Sequence, residues 1–309
     1  MKVLVIGGAG FVGSWLTHEL LSRKFEVVVI DPGVHYSNWD IKTKKIITKF
    51  KKEQLLKGAK IHKRKFEDVG NKILKKGKFD CVIHLAGTPL EKADDFDFSL
   101  KQLTEDIGLT YRVIKAVKET TVKKFIYMSS IAAYGDCDDV ITEMDSLVPK
   151  TPYGVTKACG EFLVKSELNN WNVIRTTNVY GFGDMNSRAS NSIINKILKG
   201  EKFWVNSSID LDFTYVKDLV SGIADVLQKA PNSETYHISG GKAKKLVHFV
   251  KFLKAHFKFE YEIKDIQDRP KRGTMDRKKI KKAIGWFPKT NLKSGIEDYM
   301  KYIKQYNIA

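Results

Sequence analysis

A tyrosine and a lysine four residues apart, Tyr153 and Lys157, are the strongest candidates in this chain for proton transfer. Pro152 precedes them, and proline favours the first turn of a helix because its φ is preset and it has no amide proton. On a helix the two side chains would lie on one face, with the ammonium beside the phenol. A free phenol has a pKa of about 10, and a nearby cation favours the phenolate that can accept a proton from a hydroxyl. A solvated, lysine-rich helix face produces the same spacing, so the pair alone leaves both interpretations open.

A second motif lies near the amino terminus, where a short apolar segment leads into the glycine-rich residues 7–13. Glycines there let the backbone turn sharply and approach a phosphate, and the helix that follows adds its amino-terminal dipole. The segment Glu26–Ile30 predicts a second strand, and it ends at Asp31. A carboxylate at that position accepts the ribose hydroxyls of adenosine and repels a 2′-phosphate. Strand, loop, helix, strand and acid together predict a dinucleotide-binding unit that prefers NAD to NADP.

Strand and helix patterns alternate through the middle of the chain. We predict further strands at Lys60–His62, 81–85, 125–128 and Trp171–Arg175, and long helices at 96–119 and Pro152–Glu167. Repeated strand–helix units of this kind give an α/β fold with a doubly wound parallel sheet, the Rossmann arrangement. We expect residues 1–175 to form this domain and residues 176–309 a smaller carboxy-terminal substrate lobe, with roughly 213–227 returning to the main sheet. Sites on such sheets lie at the carboxyl ends of the strands.

Composition and charge limit the other functions. The 309-residue chain carries a formal net charge of +18, mostly from lysine, and its densest basic run covers residues 42–65. Apolar residues in that run form a helical stripe, so we interpret it as an amphipathic helix with a solvated basic face, the alternative being a polyanion-binding or membrane-surface patch. Few aromatic residues lie nearby, which argues against nucleic-acid binding by this run. No apolar run approaches the ~18 residues that span a bilayer. Three scattered cysteines without metal-ligand spacing indicate structural thiols in a reducing cytoplasm and no bound metal.

Taken in order, the motifs resemble the extended short-chain dehydrogenase/reductases over nearly the whole chain. The resemblance is to the NAD-dependent nucleotide-sugar epimerase and dehydratase group, and within it to 4-epimerases of the UDP-glucose 4-epimerase type. The segments that carry it are residues 7–13, 31, 68–69, 84–87, 129–135, 152–157, 175–181, 212–218, 269–270 and 285–288. This resemblance implies NAD as cofactor, a nucleotide-diphosphate sugar as substrate, and a homodimer formed through the helices at 96–119 and Pro152–Glu167.

The same resemblance assigns roles to individual residues. Tyr153, Lys157 and Ser130 would be catalytic: the tyrosinate takes the O4 proton while the C4 hydride passes to NAD, and the 4-keto sugar then turns over and receives the hydride on its other face. Cofactor contacts are implied for Gly7, Gly10, Phe11, Val12, Gly13, Asp31, Asp68, Val69, Leu85, Ala86, Gly87, Ser129 and Lys157. Substrate contacts are implied for Ser130, Tyr153, Asn178 and Arg269.

The residues after Ser130 reduce the number of reactions that the resemblance allows. Family dehydratases place an Asp-Glu pair there, whereas Ile131 and Ala132 cannot transfer protons, so the resemblance favours epimerisation. A reductase or dehydrogenase acting on a related keto or hydroxy sugar is one alternative, and a non-catalytic relative that binds a polyanion is another. We interpret His84 and Trp286 as packing residues rather than as catalytic or sugar-stacking ones.

The chain departs from the family pattern at three places. Leu211 stands where the family has an arginine that binds the substrate phosphates, residues 205–207 replace a glycine-rich turn, and Asp106 stands where the family usually has an asparagine. Leucine cannot replace a bidentate phosphate donor. The candidates for the missing charge are Lys202, Lys217, Lys271 and Arg272.

Overall fold

The structure is a computed structural model, and it describes residues 1–33, 39–88, 95–137, 139–186, 188–266 and 273–308. Its strands in chain order are β1 (Lys2–Ile6), β2 (Glu26–Ile30), β3 (Lys60–His62), β4 (Cys81–His84), β5 (Lys124–Met128), β6 (Val140–Ile141), β7 (Trp171–Arg175), β8 (Val179–Tyr180), β9 (Trp204–Asn206), β10 (Asp210–Asp212), β11 (Thr214–Tyr215), β12 (Glu234–His237), β13 (Ala243–Lys245), β14 (Glu262–Lys264) and β15 (Thr274–Met275). Its α-helices are α1 (Phe11–Ser22), α2 (Ile41–Phe50), α3 (Phe66–Gly77), α4 (Phe96–Lys118), α5 (Pro152–Glu167), α6 (Ala189–Leu198), α7 (Val216–Lys229), α8 (Leu246–Leu253), α9 (Lys278–Ile284) and α10 (Leu292–Gln305).

A seven-stranded sheet is the centre of the fold, with the strand order β12-β7-β5-β4-β1-β2-β3. Every neighbouring pair in it is parallel. The chain moves outward in one direction from β1 and in the other from β4, so the switch point lies between these two strands, where sheets of this class bind their ligands. The prediction of an α/β, doubly wound parallel sheet is confirmed.

Both faces of this sheet are covered. Along β1, Val3 and Val5 pack into one apolar cluster with α1 and α7, whereas Leu4 and Ile6 pack into a second cluster with α3, α4 and α5. Successive side chains of a strand point to opposite faces, so a strand covered on both sides consists of apolar residues throughout. That is why β1 could be recognised from four consecutive apolar residues. Across the described ranges, no helix has the length and apolar character needed to cross a membrane.

The carboxy-terminal part forms two-stranded sheets outside the main one, in which β8 pairs with β11, β9 with β14 and β10 with β13. A further two-stranded sheet joins β15 to β6 of the amino-terminal part. The range 213–227, which we expected to return to the main sheet, contains β11 and most of α7. Helix α7 packs against α1 of the main domain, where Arg23 pairs with Asp225 at 2.7 Å. The strand that joins the main sheet is β12, which lies just after this range and pairs with β7.

The first part of the basic run folds as α2 and a π-helical turn, Lys51–Leu55, and the last part contains β3. Ile47, Phe50 and Leu55 are buried as the apolar stripe predicts. The solvated basic face has one exception, because Lys51 is only 4% exposed. Burial lowers the pKa of Lys51 to about 8, although the carboxylates of Asp184 and Asp31 act in the opposite direction. The apolar pattern identified the helix, but it could not show that one lysine faces inward.

Candidate active site

The loop between β1 and α1 has a backbone that only glycine permits. Gly7 has a φ of +83°, and a Cβ on it would lie 2.7 Å from the backbone nitrogen of Ala86. A Cβ on Gly13 would lie 2.1 Å from the carbonyl oxygen of Gly7. Because α1 begins at Phe11, its first amides have no partners within the helix and face the loop. This arrangement suits the approach of a phosphate.

Asp31 follows the last residue of β2 and is fixed by two backbone amides. Its Oδ2 accepts the N–H of Ala9 at 2.9 Å, and its Oδ1 accepts the N–H of Gly33 at 2.7 Å. A carboxylate has about four lone-pair positions, so it can still accept from ribose hydroxyls. The anchored acid beside the glycine loop therefore fits an NAD molecule bound across this end of the sheet.

The other predicted cofactor residues lie at the same end of the sheet. Asp68 and Val69 are in the first turn of α3, directly after β3. Leu85 and Ala86 follow β4, and both of their amides donate to the carbonyl of Ile6, at 2.9 and 3.1 Å. These bonds hold the turn that ends in Gly87 against β1 and the glycine loop.

Helix α5 brings Tyr153 and Lys157 together as the spacing predicts. Thr151 caps the helix, because its Oγ1 accepts the amide of Gly154 at 3.1 Å. The Nζ of Lys157 donates to the carbonyl of Met128 at 3.1 Å and lies 5.7 Å from the centre of the Tyr153 ring.

Lys157 is buried, and its surroundings nevertheless favour the ammonium. Burial opposes the charge, but attraction to Tyr127, Tyr153 and Asp106 outweighs it, so the pKa of Lys157 is raised. A cation is therefore held beside the Tyr153 phenol at neutral pH, as proton transfer through that phenol requires.

The two serines after β5 differ in orientation. Ser130 begins a 3₁₀ turn, Ile131–Tyr134, and its Oγ accepts the amide of Ala132 at 3.2 Å, which leaves its own proton available to a substrate. Ser129 is buried, and its hydroxyl donates to Glu161 Oε1 at 2.6 Å. In this structure the Ser129 hydroxyl, which we predicted to contact the cofactor, is therefore hydrogen-bonded inside the protein.

Glu161 is the centre of a buried polar network that the motifs did not reveal. Arg175 binds it through both ends of the guanidinium, with Nε 2.9 Å from Oε1 and Nη2 2.7 Å from Oε2. Arg175 also donates to the Tyr134 hydroxyl, which lies 2.6 Å from Nε2 of His237. The available signal was Arg175 itself, because a charged residue in a buried strand almost always has a partner.

The predicted substrate residues are only partly described. Asn178 lies between β7 and β8 with a φ of +36°, a region that asparagine enters more readily than most residues. Its amide donates to Thr177 Oγ1 at 2.8 Å. Arg269, together with Lys271 and Arg272, lies outside the described residues.

A lysine lies opposite Leu211, the residue that replaces the family's phosphate-binding arginine. Leu211 lies on β10 and packs into the apolar core, and the antiparallel register places Lys244 of β13 directly opposite it. Opposed residues in such a pair project from the same face of the sheet. Of the candidates for the missing charge, Lys217 is bound to Asp298 at 2.7 Å and Lys202 is exposed. Lys244 was not among them because only the strand register brings it beside Leu211.

The packing roles predicted for His84 and Trp286 are confirmed. His84 is fully buried, its Nε2 lies 3.1 Å from the Thr110 hydroxyl, and burial lowers its pKa to about 3. Trp286 lies in the main apolar core.

Comparison with known proteins agrees with this geometry. Residues 3–239 match the sequence profile of the NAD dependent epimerase/dehydratase family. An uncharacterised UDP-glucose epimerase of Bacillus subtilis is 28% identical over 98% of both chains. The dTDP-4-dehydro-6-deoxyglucose reductase of Escherichia coli is also 28% identical, over 98% of this chain and 97% of the relative. The crystal structure of UDP-glucuronic acid 4-epimerase from Bacillus cereus, in complex with UDP-glucuronic acid and NAD, is similar with a TM-score of 0.86 at 25% identity over 99% of each chain.

The family match extends from β1 to the residues just after β12, and therefore covers the whole main sheet. The glycine loop and Asp31 provide the local features that NAD requires. The chain is a member of the NAD-dependent epimerase/dehydratase family, in the nucleotide-sugar group of the extended short-chain dehydrogenase/reductases.

Proposed function

We propose that this protein inverts the configuration at C4 of a nucleotide-diphosphate sugar. The observation that carries the proposal is the Tyr153 phenol beside the buried Lys157 ammonium, which is anchored at the end of β5 on the cofactor side of the sheet. The UDP-glucose epimerase and UDP-glucuronic acid 4-epimerase to which the chain is similar support this substrate class.

In this mechanism the protein moves one proton and holds the reactants. NAD, when bound, supplies the reversible removal of hydrogen from C4. Tyr153 accepts the proton of the sugar O4 and later returns it. Lys157 stabilises the phenolate and orients the nicotinamide ribose, while the Ser130 hydroxyl donates to the same sugar oxygen. Ile131 and Ala132 line the turn beside Ser130 and contribute no acid or base, which argues against dehydration.

A reductase is the second candidate, because the E. coli relative carries that activity in its name. The two reactions differ in stoichiometry. A reductase consumes one reduced cofactor for each product molecule, whereas an epimerase consumes none. Asp31 supports the epimerase, since it disfavours the 2′-phosphate of NADPH.

We also propose that Lys244 supplies a positive charge for the substrate diphosphate. It projects from the same face as Leu211, at the position across the strand pair from the family's phosphate arginine. A lysine acts there as a point charge rather than as a bidentate donor. Asn178 and Arg269 are the further substrate contacts that this proposal includes.

The proposed assembly is a homodimer formed through α4 and α5, which pack side by side. Phe96 and Leu100 on α4 and Phe162 on α5 are exposed apolar side chains, at 76%, 48% and 59%. Replacing Phe162 by glutamate should give a monomer in sedimentation experiments, and an unchanged oligomeric state would contradict this interface. A cytoplasmic location is proposed because the three cysteines, all within the described residues, are thiols rather than disulfides.

The function is tested by incubating the protein with NAD and a panel of UDP-, dTDP-, GDP- and ADP-sugars, with NMR detection of C4 inversion. Tyr153→Phe should lower kcat by about 10²–10⁴-fold and leave NAD affinity unchanged. Tyr111→Phe is the matched control, because the Tyr111 ring lies 5.8 Å from Lys115 Nζ in the same four-residue spacing, on helix α4 and outside the proposed site. Full turnover by Tyr153→Phe would refute the catalytic assignment.

A further inference from the structure

A carboxylate stands next to the proposed catalytic lysine. Asp106 on α4 accepts the backbone N–H of Thr88 at 2.8 Å through Oδ2 and the Thr88 hydroxyl at 3.3 Å through Oδ1. A Cβ built on Gly87 would lie 3.4 Å from Lys157 Nζ and 3.5 Å from Asp106 Oδ2. The ammonium and the carboxylate therefore approach the same point of the backbone, in the turn that also packs against the glycine loop.

Burial raises the pKa of the Asp106 carboxyl above its ordinary value and outweighs the two Thr88 donors and the Lys157 charge, which favour the carboxylate. The influence is mutual, because the carboxylate is one of the groups that keep Lys157 protonated despite its burial. Arg188 acts against the charge on Lys157, and Glu105 acts against ionisation of Asp106.

We propose that Asp106 is a positioning residue of the cofactor site, whose charge offsets that of Lys157 and so favours the oxidised, positively charged nicotinamide over the reduced, neutral one. The inference rests on the proposed place of Lys157 at the cofactor. Without the carboxylate, the ammonium and Arg188 would leave the site with a net positive charge, which repels a cationic ring. An epimerase ends every turnover with its cofactor oxidised, so a site that favours this form keeps the enzyme ready for the next substrate.

The experiment compares the affinities of the purified full chain for NAD⁺ and NADH, with NADH fluorescence as the direct signal and NAD⁺ measured by competition. Asp106→Asn keeps the shape of the side chain and can still accept from the Thr88 amide. We expect it to raise the ratio Kd(NAD⁺)/Kd(NADH) about tenfold, which corresponds to a loss of about 1.4 kcal/mol of attraction between the carboxylate and the cationic ring. Glu105→Gln is the matched control, because it removes the same charge from the next residue, whose side chain is 61% exposed, and its ratio should stay unchanged.

An equal loss of affinity for both cofactors in Asp106→Asn, with an unchanged ratio, would overturn the proposal and leave Asp106 only the task of holding Thr88. The variant Lys157→Met shows whether only the charge argument is wrong or whether the proposed position of the cofactor site is wrong. If Lys157→Met weakens binding of both cofactors while Asp106→Asn leaves the ratio unchanged, the charge argument alone is wrong. If Lys157→Met binds both cofactors normally, Lys157 does not lie at the cofactor, and the proposed catalytic site falls together with this inference.

Discussion

Replacing Glu161 by glutamine should lower the free energy of unfolding by about 3–5 kcal/mol, because removing one member of a buried ion pair leaves the other charge uncompensated. The side chains of Glu161 and Arg175 are 0% and 3% exposed, so water cannot take the place of the lost carboxylate. Glutamine has nearly the same shape, and its amide oxygen can keep one of the bonds from Arg175. The loss of stability therefore reports the missing charge rather than a change in packing.

The size of the effect follows from the number of donors that converge on this carboxylate. Arg175 supplies two hydrogen bonds, Ser129 supplies one and Lys165 supplies one at 3.1 Å. A more exposed ion pair, between Glu167 of the same helix and Lys118 of α4, gives the comparison. Glu167 binds Lys118 at 2.6 Å, but the two side chains are 27% and 43% exposed, and such pairs contribute about 0–1 kcal/mol. Glu167→Gln is therefore the matched control.

The free energy of unfolding of both variants is measured by urea unfolding followed by circular dichroism. For Glu161→Gln the midpoint urea concentration should fall, with no change in the slope of free energy against urea concentration. The double variant Glu161→Leu with Arg175→Leu should lose less stability than the two single substitutions added together, because an apolar pair leaves no uncompensated charge. Equal losses of under about 1 kcal/mol for Glu161→Gln and Glu167→Gln would refute the argument, since the pair would then behave as a solvated one.

The pair also predicts a pH dependence with a defined sign. Burial alone would raise the pKa of Glu161, but the bonds from Arg175 and Ser129 outweigh it and hold that pKa below its ordinary value of 4.5. The unfolded chain therefore takes up this proton at a higher pH than the folded chain does. The stabilisation is fully present above pH 4.5 and is lost as the pH falls through the lower, folded value. The difference in free energy of unfolding between Glu161→Gln and the unsubstituted protein should therefore decrease over that pH range.

Three further predictions concern the cofactor loop, the substrate and acid stability. Gly13→Ala should abolish NAD binding in a fluorescence titration, because its Cβ would lie 2.1 Å from a loop carbonyl, whereas Gly108→Ala on α4, where a Cβ would lie no closer than 3.5 Å to Arg112, should bind normally. Lys244→Met should raise KM for the nucleotide sugar about tenfold, with kcat little changed. Lys245→Met, on the opposite face of β13, is the control and should leave KM unchanged. If the two variants have the same KM, Lys244 does not contact the substrate. Burial lowers the pKa of His237 to about 4 from 6.5, so the unfolded state binds this proton first as the pH falls. About 3 kcal/mol of stability should be lost between these values, and His237→Asn should flatten that part of the urea-midpoint profile.

The local elements could be predicted because their signals are local. The strands at Lys60–His62 and Trp171–Arg175 and the helix Pro152–Glu167 have the predicted bounds, since apolar runs, a proline and a capping threonine act within a few residues. The glycine loop and Asp31 were recognisable for the same reason: strand, turn, helix and acid follow one another within a single βαβ unit. The Tyr153–Lys157 contact required only one turn of helix.

Contacts set by the order and register of strands could not be predicted in this way. Lys244 comes to lie beside Leu211 through the β10–β13 register, and His237 reaches Tyr134 because β12 adds to the edge of the sheet next to β7. Neither arrangement leaves a periodic trace in the sequence. The burial of Lys51 was missed for a related reason, because its surroundings come from Asp184 and Gly183, far along the chain.

The buried network connects the stability of the fold to the position of the proposed catalytic pair. Helix α5 carries Lys157 and Glu161 one turn apart, and both are attached to the end of β5, Lys157 through the carbonyl of Met128 and Glu161 through the hydroxyl of Ser129. Arg175 attaches the same carboxylate to the end of β7. The distance from the Tyr153 phenol to the strand end that bears Ser130 is therefore fixed by the contacts that stabilise the core. Because a reacting group displaced by about 1 Å can cost about a hundredfold in rate, Glu161→Gln should lower kcat even under conditions in which the protein remains fully folded.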